Sequence, residues 1–130
     1  MALHLEFQDN VAVLRHDDGK RNVFSPESIR DFNDALDEIE AKKAALMWMG
    51  REDCFSAGFD LKVVKSGDAD AAAAMVQAGG ELAFRIFTFP HPVVCAVTGH
   101  CLALGSVMLV CADKRIGMAG DFKYGLNETA

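Results

Sequence analysis

The sequence predicts an α/β layered fold, and three observations carry that expectation. AALMWM (44–49) and PVVCAV (92–97) are short apolar runs with no polar alternation, as strands covered on both faces require. Ile29, Phe32, Leu36 and Ile39 recur at helical spacing ahead of the first run. Between the two runs, Asp68 to Phe87 is rich in Ala, Met and Leu and reads as a long helix. Strand, helix, strand, helix, strand is the alternation of helices packed on a mostly parallel sheet.

The elements follow in order. HLEFQ and VAVLRH read as two alternating strands around the turn Asp9-Asn10. DDGKRNVF is a polar loop. Ser25-Pro26 opens the first helix, with Ser as cap and Pro at the first helical position, where its missing N–H costs nothing. Gly50 to Phe59 reads as a loop of polar and small residues. Gly79-Gly80 is a weak point in the long helix, which Phe89-Pro90-His91-Pro92 stops. Thr98-Gly99-His100 reads as a turn and Ala103 to Cys111 as a helix. Asp113 to Ala119 and Phe122 to Tyr124 are short strand candidates.

Composition narrows the function. The chain has 130 residues, enough for one domain, and a net charge of −6 with no basic run, which argues against nucleic-acid binding. The start, MALHLEFQDN, has no basic flank followed by an apolar core, so no secretory signal is expected. The apolar stretch Pro92 to Ala112 is broken by Thr98, Gly99, His100 and Ser106, which suits a soluble strand–turn–helix better than a membrane span. Cys54, Cys95, Cys101 and Cys111 have no metal-binding spacing and read as buried reduced thiols of a cytoplasmic protein; the four His are scattered.

Two stretches expose backbone. In FSAGFDLK (55–62), small residues precede Phe59, whose N–H is free to meet a ligand; a plain turn with Asp60 capping a short helix is the alternative. In TGHCLALGSVML (98–109), a buried strand turns into a helix start lined by Ala103, Gly105 and Ser106. The unpaired N–H groups there suit an oxyanion, and close helix–sheet packing is the alternative. Together the two stretches suggest two donors converging on one carbonyl oxygen, an oxyanion hole for a thioester enolate.

KRNVFSPESI, FSAGFDLK, PVVCAVTGHCLALGSVMLVCADKRI and YGLNE, in that order, resemble the crotonase superfamily, the enoyl-CoA hydratases and isomerases. The resemblance implies a crotonase-like ββα spiral core. It also implies that residues 1–130 are the N-terminal part of one domain, without the C-terminal helices that build the family's trimer or hexamer. It implies Phe59 N–H as the first donor and Leu104 N–H as the second, with Gly105 beside it. Phe55, Ser56, Ala57, Asp60 and Leu61 are implied contacts of the CoA moiety, and Lys20, Arg21 and Lys62 partners of its phosphates. An acyl-CoA is the implied substrate, with no metal or redox cofactor.

One departure from the pattern is informative. The family's hydratases use two glutamates, one three residues after the second donor and one in the GLNE-like segment. Here the first position is Val107, which cannot move a proton, and the second is Glu128. Adding water needs two carboxylates; moving a double bond needs one base. The resemblance is therefore to Δ3,Δ2-enoyl-CoA isomerase, with Glu128 carrying a proton from C2 to C4. Another acyl-CoA reaction of the family, such as hydration or thioester hydrolysis, is one alternative. A non-catalytic CoA-binding or assembly subunit is another. His100, beside the second donor segment, is either a participant or a packing residue.

Overall fold

A computed structural model of the chain describes residues 2–127. Strands β1 (Leu3–Gln8) and β2 (Val11–His16) form an antiparallel hairpin, pairing Leu3 with His16 and Gln8 with Val11. After β3 (Val23–Phe24) comes α1 (Pro26–Ala41), whose start closes a reciprocal cap: Ser28 N–H donates to Ser25 Oγ at 3.1 Å and Ser25 N–H to Ser28 Oγ at 2.8 Å. The stripe Ile29, Phe32, Leu36 and Ile39 is buried, and each such side chain contributes about 1.5–3 kcal/mol.

The chain continues through β4 (Ala45–Met49), β5 (Asp53–Ser56), β6 (Gly58–Phe59), α2 (Leu61–Val64) and α3 (Ala69–Phe87). It then passes through β7 (Val93–Val97), β8 (Gly99–Leu102), α4 (Leu104–Cys111), β9 (Lys114–Gly117) and β10 (Tyr124–Gly125). The main sheet runs β1-β2-β4-β7-β9 and is parallel from β2 onward. A second, all-parallel sheet runs β10-β8-β5, and β3 pairs with β6 as a short parallel ribbon. Trp48 stands at the centre of the core, its ring 4.9 Å from that of Phe32 and 5.1 Å from that of Phe55. Arg85 on α3 ties α1 to the layer through Asn33 and Asp37.

Three expectations are corrected. Residues 50–59 are not a loop: they hold β5 and β6, whose partners β8 and β3 lie far off in sequence. Thr98-Gly99-His100 is not a turn, because Gly99 opens β8 directly after β7. β4 is covered on one face only; Leu46 and Trp48 are buried, while Ala45, Met47 and Met49 stay half-buried. Among the described residues, no helix is long and apolar enough to cross a membrane.

Candidate active site

The segment expected to carry the first donor is held from behind by Asn22. Its amide Nδ2 donates to His16 O at 2.6 Å and approaches Cys54 O and Phe55 O, both at 3.2 Å. Asp18 shapes the same loop by accepting N–H bonds from Lys20, Asn22 and Val23. Partial burial works against the Asp18 carboxylate, but these donors outweigh it and hold its pKa below the ordinary value. Ser56 is fully buried; its Oγ donates to Asn22 O at 2.7 Å and accepts Gly58 N–H at 3.1 Å.

Asp60 N–H donates to Phe24 O at 3.0 Å. Alternate N–H groups of a parallel strand face the same neighbour, so the intervening Phe59 N–H faces away from β3. Gly58 permits the turn, at φ +96°. A side chain there would also collide with the second segment, its Cβ falling 2.7 Å from Ala103 Cβ and 3.3 Å from Leu104 N. The two expected donors, Phe59 and Leu104, are thus brought to adjoining backbone.

The second expected donor lies at the start of α4. Its cap, Ala103, sits at φ 54°, ψ −127°, a conformation that costs an alanine roughly 1–3 kcal/mol, and it offers no side-chain hydrogen bond to the helix start. Among the described residues, Leu104 and Gly105 N–H have no acceptor; Ser106 and Val107 N–H are the first to be paired, both to Ala103 O. Gly105 lets α4 close in, since a Cβ there would lie 3.0 Å from Ser56 Cβ. The ring of Phe59 and the side chain of Leu104 both rest on Gly79 of α3, so this glycine is a packing contact rather than only a weak point. Val107 is half-buried and apolar.

Lys20, Arg21, Asp60 and Lys62 line one cleft of about 640 Å³ together with Asp18 and Val23. Asp60 caps α2 by accepting Lys62 N–H at 3.0 Å, and Asp18 is spent on its own loop, so the cations are the groups left for an anionic ligand. Leu61 is exposed beside them, and Ala57 N–H donates to Arg21 O at 2.9 Å. Phe55 and Ser56 are fully buried, so the ligand contact expected there is confined to their backbone.

His100 packs its ring 5.3 Å from Phe122, and its Nδ1 accepts Lys123 N–H at 3.0 Å, which is a structural task. Burial pushes the Cys95 and Cys101 thiols up to about 12, leaving both inert at neutral pH. Glu128 lies outside the described residues; the segment leading to it is seated on β8 through Cys101 N–H to Lys123 O at 2.9 Å and Ala103 N–H to Gly125 O at 3.1 Å. Sequence reasoning missed Asn22 as the support of the site. The available signal was its type, since Asn is among the few residues that tolerate the φ of 53° found there.

Residues 6–130 match the family profile described as enoyl-CoA hydratase/isomerase. A probable enoyl-CoA hydratase of Bacillus subtilis is 31% identical over 98% of this chain and 50% of its own length. An enoyl-CoA hydratase/isomerase family protein of Pseudomonas syringae superposes with a TM-score of 0.95 at 41% identity, over 98% of this chain and 55% of that one. The human mitochondrial Δ3,Δ2-enoyl-CoA isomerase superposes with a TM-score of 0.92 at 25% identity, over 99% of this chain and 52% of that one. The chain spans about half the length of the curated relatives it matches. With a crotonase-like core and these relatives, the chain belongs to the enoyl-CoA hydratase/isomerase family of the crotonase superfamily and corresponds to its N-terminal half.

Proposed function

We propose that this chain supplies the thioester-activating half of a CoA-thioester isomerase that moves a 3-enoyl double bond to the 2-position. The thioester oxygen lies between Phe59 N–H and Leu104 N–H. Glu128 takes a proton from C2, the electron pair delocalises into a dienolate, and the same proton returns to C4. Each hole donor contributes roughly 2.7–4 kcal/mol to the transition state, and the base about 10²–10⁴-fold. The cations of Lys20, Arg21 and Lys62 meet the CoA phosphates, and the full-length enzyme assembles as a trimer or hexamer. No group beyond the CoA of the substrate enters the reaction.

One observation carries the choice of reaction: an apolar residue, Val107, three positions beyond the second donor, leaves one carboxylate for proton transfer. Hydration is the competing reading, favoured by the hydratase name of the Bacillus subtilis relative. The test uses the complete gene product and the absorbance of the conjugated thioester. The isomerase reading expects absorbance to rise with a 3-enoyl-CoA, to stay constant with a 2-enoyl-CoA, and the rise to vanish in Glu128→Gln. Loss of absorbance from the 2-enoyl-CoA means hydration and overturns it.

A further inference from the structure

Ser106 is the third residue of α4, between the proposed donor Leu104 and the apolar Val107. It reaches out of its helix to another strand. Its Oγ lies 2.8 Å from both Cys101 O and Gly125 O, and it accepts Gly125 N–H at 3.1 Å. One hydroxyl proton serves the two carbonyls while a lone pair takes the amide. Ala103 N–H holds Gly125 O from the other side at 3.1 Å. The peptide groups of Gly125 are therefore gripped by the two residues that bracket Leu104 and Gly105.

This grip adds to the bonds from Cys101 N–H to Lys123 O, Lys123 N–H to His100 Nδ1 and Tyr124 OH to Met118 O that seat β10. That strand has two residues, sits at the edge of its sheet, and leaves Tyr124 exposed. The Ser106 hydroxyl is committed to β8 and β10 rather than to the start of its own helix.

We infer that Ser106 is a positioning residue that fixes the distance between the oxyanion donors and the proton-shuttling segment, acting through Gly125, three residues ahead of Glu128 in the sequence. The inference rests on Glu128 as the base. A displacement of about 1 Å in a reacting group costs up to roughly 10²-fold in rate. Ser106→Ala in the complete gene product is thus expected to lower kcat for 3-enoyl-CoA isomerisation about 10- to 100-fold with KM unchanged.

The deciding measurement is a double-mutant cycle read by exchange of the C2 proton in D2O. If Ser106 acts through the base, Ser106→Ala has no further effect on the slow residual exchange that the hole donors alone sustain in a Glu128→Gln background. An equal loss in both backgrounds places its effect on the hole or the fold and overturns the inference. So does wild-type kcat in Ser106→Ala when Glu128→Gln is inactive, which leaves the base reading standing. Near-normal turnover by Glu128→Gln removes the base reading and this inference with it. Should Ser106→Ala not fold, Ser106→Cys keeps the size with a weaker hydrogen bond; a smaller kcat loss supports the inference, and an unchanged kcat overturns it.

Discussion

Gly58→Ala tests whether the two donor segments converge. The glycine sits at φ +96°, where an alanine costs about 1–2 kcal/mol. The added methyl would start 2.7 Å from Ala103 Cβ, whereas carbon atoms prefer about 3.5–4.0 Å, so the segments must part by roughly 1 Å. Overpacking of that kind adds about 1–3 kcal/mol to the loss of stability. The same movement separates Phe59 N–H from Leu104 N–H. Losing one hole donor lowers kcat by about 10²–10³-fold. Gly67→Ala is the control: Gly67 has φ +83° with nothing within 4 Å of a new Cβ, so it carries the backbone cost alone. The assay is 3-enoyl-CoA isomerisation alongside thermal unfolding. If Gly58→Ala loses no more stability than Gly67→Ala and keeps kcat within about 3-fold, the two N–H groups do not act on one oxygen.

Three further outcomes follow from other features. Gly80 is exposed with open space around it, so Gly80→Ala should raise the unfolding free energy by about 0.5–1 kcal/mol; at Gly79 a Cβ would fall 2.5 Å from the Phe59 ring, so Gly79→Ala should lower both stability and kcat in the same assays. His16 is fully buried with both ring nitrogens unpartnered among the described residues, and burial lowers its pKa from 6.5 to about 4 against the opposing pull of Asp18 and Asp17. The unfolded chain then binds the extra proton, so stability is full above pH 6.5 and falls as pH drops toward 4, by about 3 kcal/mol. Denaturant unfolding of His16→Leu across that window should lack this slope; an identical slope in both proteins would refute the assignment.

Much of the fold could be read because the pattern is local. The Ser25-Pro26 start, the Ile29–Ile39 stripe and the hairpin at Asp9-Asn10 are each encoded within a few residues. β5, β6 and β8 could not be read that way. They are two to four residues long, and each exists because a distant strand pairs with it. The same division runs through the site. The backbone of FSAGFDLK and the helix start at Leu104 are visible as small-residue runs, but the support from Asn22 and the grip of Ser106 on Gly125 are contacts across the chain. The burial of Phe55 and Ser56 was hidden too, since nothing adjacent marks which side of β5 faces the core.

The seating of β10 bears on how the molecule fails under heat. A two-residue strand with one exposed side chain opens at a far lower free energy than the core around Trp48. Amides at Lys123 and Gly125 should therefore exchange with solvent through local fraying while those of β4 and β7 exchange only on global unfolding. Because the proposed base follows this strand by three residues, its placement depends on how firmly Ser106 and β8 hold Gly125.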